Sequence, residues 1–167
     1  MIKKTLLISI FFALFFPSVI ISAEPKSVGK FKNWETFIYN SGKGKICFAQ
    51  TIPLERAPKN FKRKQSRLFV TFRKSENIKN EISVTSGHEY KSASVTAKSG
   101  KNEFSLFSQG NFAWLIDAEE EFNLIKTMKK ASKLSITGTA RNGSKTKDMY
   151  SMMGFTKAYN SAKKSCA

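Results

Sequence analysis

The single histidine of the chain, His88, is the residue type best suited to acid–base catalysis at neutral pH. A histidine base needs a nucleophile and an orienting carboxylate beside it. On paper the partners are the hydroxyls of Ser86 and Ser94 and the carboxylates of Glu89, Asp117 and Asp148. Nothing in the sequence brings these side chains together, and the chain has no G-x-S-x-G turn. We therefore predict no catalytic site and expect His88 to be an exposed loop residue.

The only acidic cluster, formed by Asp117 and Glu119 to Glu121, is the second group that could do chemistry. Paired carboxylates can hydrolyse glycosides. The cluster opens a predicted helix, however, and this position favours a stabilising interaction with the helix dipole. One His and two Cys provide no tetrahedral zinc set, and two Asp are few for a calcium loop. We predict no metal and no cofactor.

The first 23 residues have the pattern of a secretory signal peptide. Lys3 and Lys4 precede an apolar run at 6–21, and the small residues Ser22 and Ala23 follow it. The run is short for a membrane span, which needs about 20 apolar residues. We predict cleavage after Ala23, a flexible lead-in at 24–33 and a single domain at 34–167. An uncleaved anchor is the alternative. The predicted location is periplasmic, with outer-membrane association or secretion as further options.

The chain is strongly basic, with a formal net charge of +17 at pH 7. Such a charge attracts anionic surfaces. The densest patch of positive charge holds Lys59, Lys62, Arg63, Lys64 and Arg67, with Phe61 among them. Aromatic and basic residues together can bind single-stranded nucleic acid, but we expect no nucleic acid as partner of an exported protein. The patch is a candidate anion-binding site for lipid headgroups, lipopolysaccharide or acidic glycans. A solvated loop is the alternative.

Both cysteines, Cys47 and Cys166, lie downstream of the predicted signal peptide. An even number of cysteines in an exported chain predicts a disulfide. Alternation places Cys47, Ala49 and Thr51 on one face of a strand, and Cys166 continues the apolar stripe of a terminal helix. We expect this polar helix to bury little and the bond to hold it on the sheet. An intermolecular bridge or a redox pair is the alternative, although no C-x-x-C spacing supports redox chemistry.

Period-two alternation and turn residues predict a mainly β fold, an antiparallel sandwich or barrel-like sheet with two helices. The helices are expected at 117–130 and at the C-terminus after Gly154, and Ala118, Phe122, Ile125 and Met128 or Lys129 are expected to lie on one face of the first helix. Alternation also favours core packing for Phe107, Phe112 and Trp114. Nine strands are predicted, at 34–39, 45–52, 67–73, 81–85, 92–97, 103–107, 112–115, 133–137 and 146–152.

Several stretches, taken in order, resemble the invasion-associated locus B family of secreted bacterial proteins. They are the strand that begins at Trp34, Cys47 with Ala49 and Pro53, and the segment FSLFSQGNFAWLIDAEEEFNLIKTMKKASKLSITGTARNGSKTKDMYSMMGFTKAYNSAKKSC. The family has an R-G-type turn and a Y-S-L-x-G-F segment before a final cysteine. Here Asn142 separates Arg141 from Gly143, and Met152 replaces the leucine.

This resemblance extends from about Trp34 to Cys166. It implies a periplasmic or outer-membrane-associated β-rich domain with a Cys47–Cys166 bridge and no defined reaction. We therefore predict a non-catalytic binding or accessory module of the cell envelope. Its expected partner is an anionic membrane surface, lipopolysaccharide or another envelope protein. The alternative is a factor that contacts a host or envelope protein, and a hydrolase is the third option.

Overall fold

A single open sheet of antiparallel strands is the centre of the fold. The computed structural model describes residues 24–167, so the predicted signal peptide at 1–23 lies outside the described residues. Two helices accompany the sheet, α1 at Ala118–Lys130 and α2 at Phe155–Ser165. The predicted mainly β class with two helices is confirmed. In the described part of the chain, no helix is long and apolar enough to cross a membrane.

Eleven strands form the sheet, in the order β1-β2-β3-β5-β6-β9-β8-β7-β10-β11-β4. They are β1 (Lys26–Phe31), β2 (Trp34–Ser41), β3 (Gly44–Thr51), β4 (Glu55–Ala57), β5 (Arg67–Arg73), β6 (Ile78–Thr85), β7 (Val95–Ser99), β8 (Asn102–Gln109), β9 (Phe112–Trp114), β10 (Lys133–Thr139) and β11 (Lys145–Ser151).

Two of these strands were not expected from the sequence. The predicted flexible lead-in at 24–33 is wrong for residues 26–31, which form β1 and pair with β2. β4 lies within the predicted long loop at 53–65 and pairs with β11 at the far edge of the sheet. Both strands contain few apolar residues. They form because each pairs with a neighbouring strand, and not because of their own composition.

The core lies on one face of the sheet, here called the inner face. Alternation sends Ala49, Val70 and Val84 into it from neighbouring strands, and each is fully buried. The second half of the sheet contributes Leu134, Ile136 and Tyr150 to the same hydrophobic cluster.

Helix α2 packs against β2 and β3 on this inner face and buries more than its polar sequence suggests. Phe155, Ala158, Tyr159 and Ala162 are all buried. The expected apolar stripe is therefore confirmed, and the expectation that the helix buries little is wrong. Gly154 precedes the helix with φ 95°, and a Cβ there would collide with the carbonyl oxygen of Phe31. Only glycine permits this approach.

Helix α1 begins as predicted, with the Asp117 carboxylate accepting hydrogen bonds from the amides of Glu119 and Glu120. Its buried face is Leu124, Ile125 and Met128. The predicted apolar face is therefore not the buried face of the helix, since Ala118 and Phe122 are both exposed. Phe122 is 61% exposed.

The Cys47–Cys166 disulfide is present and joins β3 to the end of α2 across 119 residues of sequence. Replacing both cysteines with alanine is expected to lower the free energy of unfolding by about 4–5 kcal/mol, because the bond closes a very long loop in the unfolded chain. Denaturant titration measures this loss. Reducing agent should destabilise the native protein and leave the double variant unchanged. A loss below about 1 kcal/mol would show that packing alone holds α2.

Candidate ligand-binding site

The outer face of the first half of the sheet carries a row of aromatic rings. Phe37 and Phe48 are cross-strand neighbours on β2 and β3, with ring centroids 5.3 Å apart. Phe69 on β5 lies 6.2 Å from Phe48. On the other side, Trp114 of β9 and Phe107 of β8 pair at 5.1 Å. Alternation produces the row, because each of these rings is next in sequence to a buried residue and therefore points to the opposite face of the sheet.

Small polar side chains separate the two aromatic groups. Ser83 of β6 pairs in register with Phe69 on one side and with Trp114 on the other. Thr71 follows Phe69 by two residues in β5 and therefore points to the same face. The result is an open cavity of about 660 Å³ between aromatic walls. We call it the aromatic cleft, and its aromatic lining residues are Tyr39, Phe48, Phe69, Phe112 and Trp114.

Charged and amide groups complete the lining. Arg73 and Glu81 are joined by a hydrogen bond of 2.8 Å and lie in the lining, and Gln109 is a further lining residue. Phe107 and Phe112 are 48% and 44% exposed, so the expected core packing is wrong for both. They lie on the outer face, where no buried layer covers them within residues 24–167. Exposed apolar patches of this kind mark binding surfaces.

The predicted anion-binding residues differ in their exposure to solvent. Lys59, Lys62 and Lys64 are exposed, and none of them forms a salt bridge with another described residue. Arg67 is half-buried in β5. Arg63 is buried, with a side chain only 2% exposed. It therefore leaves the candidate set, and three lysines remain at the surface.

Arg63 instead forms a buried ion pair with Asp148 of β11. Its two terminal nitrogens donate to the two carboxylate oxygens at 2.8 and 2.6 Å, a bidentate arrangement. One of them also donates to the carbonyl of Ser86. The pair ties the loop at 53–65 to the last strand, and the Lys64 amide donates to the carbonyl of Gly87 nearby. The basic residue that sequence reasoning assigned to a ligand is therefore a structural one.

His88 is half-buried rather than exposed, so that expectation is wrong. Its Nδ1 lies 3.0 Å from the carbonyl oxygen of Glu89, and its Nε2 lies 3.0 Å from the hydroxyl of Thr146. Burial lowers the pKa of His88 from its ordinary value of 6.5. The Glu89 carbonyl can only accept, so Nδ1 is the donor to it, and Nε2 faces the Thr146 hydroxyl, whose single proton also has the carbonyl oxygen of Gly138 as an acceptor at 3.2 Å. Thr146 is buried, which removes its hydroxyl from any substrate.

The other partners that the sequence offered to His88 are engaged elsewhere. The Glu89 carboxylate accepts from Arg141, and Asp148 accepts from Arg63. Asp117 caps α1. The Ser86 hydroxyl accepts from Tyr90, and the Ser94 hydroxyl donates to backbone carbonyls. Among the described residues, the structure therefore assembles no triad around this histidine. Nor does any group of three His, Cys, Asp or Glu within 24–167 lie together as metal ligands.

Glu121 is an ionisable residue that sequence reasoning did not separate from its acidic neighbours. Its carboxylate accepts a hydrogen bond of 3.1 Å from the amide of Ile82, which places it against the sheet. Burial raises its pKa from 4.5 to about 7, and the nearby charge of Glu81 adds to the rise. The signal was periodicity, since Glu121 lies on the buried side with Leu124, Ile125 and Met128.

The two edges of the sheet are poorly suited to pairing with another chain. The edge strand β1 carries Lys26 and Lys30 and has a register shift between Ser27 and Gly29. The opposite edge strand, β4, has three residues. Charges, bulges and short strands are the common protections of a sheet edge. The aromatic cleft on the face of the sheet is therefore a better binding surface than its edges.

Comparison of the chain with family models, curated proteins and solved structures found no match in any of the three.

Breaking the buried ion pair is expected to be costly. Arg63→Leu removes the bidentate partner of the buried Asp148 and leaves only Arg56, 4.0 Å away, to pair with the carboxylate, so we expect a loss of about 3–5 kcal/mol in the free energy of unfolding. Replacing both residues with leucine should cost less than Arg63→Leu alone, because it also removes the buried carboxylate of Asp148. Lys62→Leu, next in sequence but exposed, should change stability by no more than about 0.5 kcal/mol. Equal effects of the two single variants would contradict the structural role of Arg63.

The raised pKa of Glu121 predicts an unusual dependence of stability on pH. The folded protein holds the Glu121 proton more tightly than the unfolded chain, so its contribution is fully present below pH 4.5 and is lost as the pH rises through about 7. Glu121→Gln keeps an acceptor for the Ile82 amide and should be more stable than wild type at pH 8 but equal to it at pH 4. Denaturant titration at both pH values tests this. Glu120→Gln, on the exposed side of α1, controls for the change in net charge.

Proposed function

We propose that the chain is an exported, non-catalytic binding module of the bacterial cell envelope, of the invasion-associated locus B type, and that its aromatic cleft binds a glycan. The observation that carries this proposal is the row of partly exposed rings on the outer face of the sheet. Phe112 lines the cleft and Phe107 packs against the lining residue Trp114, and both rings expose close to half of their surface. Burial by a ligand would remove this apolar area from water.

The chemistry of the cleft suits a saccharide. A sugar ring presents C–H groups on its faces and hydroxyls around its edge. The negative face of an aromatic ring attracts such C–H groups. Thr71, Ser83 and Gln109 can exchange hydrogen bonds with the hydroxyls, and the Arg73–Glu81 pair offers further donors and acceptors. Apolar walls with a few placed polar groups are the usual composition of a ligand site.

The charge of the protein favours an anionic partner. Lys59, Lys62 and Lys64 remain exposed and unpaired within the described part of the chain. They add to the net charge of +17 and attract anionic surfaces such as lipopolysaccharide. This attraction is screened by salt. We assign it to long-range association with the envelope and the aromatic cleft to recognition of the ligand.

A protein partner is the second candidate. The observation that favours it is the aromatic composition of the cleft, because aromatic residues are enriched in the centres of protein interfaces. The protected edges of the sheet argue against a partner that adds a strand, so such a partner would have to contact the outer face.

Tryptophan fluorescence provides a direct test of glycan binding. The chain has two tryptophans, and Trp34 is fully buried in the core, so a ligand in the aromatic cleft reports through Trp114. We expect the lipid-free polysaccharide of lipopolysaccharide, or an oligomer of N-acetylglucosamine, to change this fluorescence saturably. Phe112→Ala should weaken the affinity roughly threefold to tenfold, the equivalent of one lost aromatic contact.

Phe122→Ala is the matched control, because Phe122 is also an exposed phenylalanine but lies outside the aromatic cleft. It should leave glycan binding unchanged. Equal affinity of wild type and Phe112→Ala would contradict the assignment of the cleft. If neither glycan binds, a photo-crosslinking residue at position 112 that captures one recurrent envelope protein would support the second candidate instead.

A further inference from the structure

We propose that a second pocket, between the start of β6 and the two helices, binds a single-chain anionic amphiphile such as a fatty acid. We call it the terminal pocket. Its apolar walls are Phe72, Ile78, Phe122 and Tyr159, and the Cys47–Cys166 disulfide closes one side through Cys166. Its volume is about 380 Å³, which lies in the range of small-ligand sites.

The floor of the terminal pocket is rigidly held. Tyr159 is buried on α2, its ring packs 5.4 Å from that of Phe72, and its hydroxyl donates to the side-chain oxygen of Asn80. Burial raises the pKa of Tyr159, so the phenol is uncharged at neutral pH and adds no negative charge to the pocket. The hydroxyl is already satisfied by Asn80, which leaves an apolar ring surface toward the pocket.

Phe122 is the residue that the core does not explain. It is the most exposed aromatic side chain among the large apolar residues of the described chain, at 61%, although it lies on an amphipathic helix. The core-facing side of α1 is Leu124, Ile125 and Met128, so Phe122 stabilises nothing in that cluster. It forms a wall of the terminal pocket instead. A bound hydrocarbon chain would cover it.

Positive charge surrounds this apolar interior. Lys74, Lys79 and Lys163 are exposed lining residues from three different elements or turns. Lys129 lies over the Tyr159 ring, with its amino nitrogen 4.1 Å from the ring centroid. No Asp or Glu side chain is among the lining residues of the pocket. None of these three lining lysines forms a salt bridge with another described residue.

An apolar interior with a cationic rim is complementary to one ligand chemistry. The hydrocarbon chain is removed from water inside the pocket, and the anionic head stays at the rim near the lysines. A neutral amphiphile would lose the second interaction, and a small anion would lose the first. Lysine stems can lie along apolar surface while their charges stay in water, which suits the rim of such a pocket.

Calorimetric titration with sodium dodecanoate, below the concentration at which it forms micelles, tests the proposal on the protein with its disulfide formed. We expect saturable binding with one molecule per chain. Dodecyl maltoside has the same hydrocarbon chain with a neutral head, and inorganic phosphate is an anion without a chain. Both should bind at least about tenfold more weakly, because each supplies only one of the two interactions. Equal binding of either probe would overturn the proposal.

Two variants locate the site. Lys163→Glu and Phe122→Ser alter exposed side chains, so both should fold, and each should weaken dodecanoate binding by roughly threefold to tenfold. Lys157→Glu makes the same charge change on an exposed position of α2 outside the pocket, and Phe112→Ser removes a phenylalanine from the aromatic cleft. Both controls should bind dodecanoate as wild type does.

The two proposed sites fail independently. Dodecanoate should shift the NMR signals of Tyr159 and Lys163 and leave the fluorescence of Trp114 unchanged. Binding that survives both Lys163→Glu and Phe122→Ser, or that perturbs Trp114 instead, would place the ligand elsewhere and overturn the terminal pocket. Neither result would alter the glycan experiment, which is read at Trp114 and uses Phe122→Ala as its control.

Discussion

The packing of α2 on the inner face of β2 and β3 is the interaction on which the other features depend. Trp34 of β2 donates its indole proton to the carbonyl of Ser151 just before the helix, and Thr36 donates to the carbonyl of Ala158 within it. The disulfide adds a covalent bond from β3 to the end of the same helix. The first strands and the last segment of the chain therefore form one unit, and the contacts that close the fold are its least local ones.

Once α2 occupies the inner face, alternation decides what the outer face must carry. In a strand, the residues next to a buried residue point to the opposite face of the sheet. On β3 and β5 the outward positions next to buried residues hold Phe48 and Phe69. Polar residues at these positions would suit an uncovered face, as they do in many antiparallel sheets. The aromatic residues are therefore not required by the core, and this makes the outer face informative about function.

The sequence predicted local features well because alternation and capping act over a few residues. β5 occupies 67–73 as expected, and Asp117 caps α1. Features that depend on distant partners were missed. β4 is a strand only because β11 lies beside it. Arg63 lies in a basic stretch that resembles a surface ligand site. Nothing near it in sequence indicates that its partner is Asp148, 85 residues away. The rotation of α1 that exposes Phe122 is likewise set by tertiary packing.

The two candidate sites likewise depend on contacts between residues that are distant in sequence. The aromatic cleft combines residues from strands that meet only through the sheet order β3-β5-β6-β9, and the terminal pocket combines α1, α2 and the turn before β6. Each was visible in the sequence only as scattered phenylalanines and lysines, for which core packing and solvation were sufficient explanations. The folded structure shows for which residues these explanations hold and for which they do not. It buries Arg63 and leaves its three lysine neighbours free, and it buries Phe72 while leaving Phe122 in water. The exposed lysines and Phe122 are not needed for the core, and ligand binding can explain them.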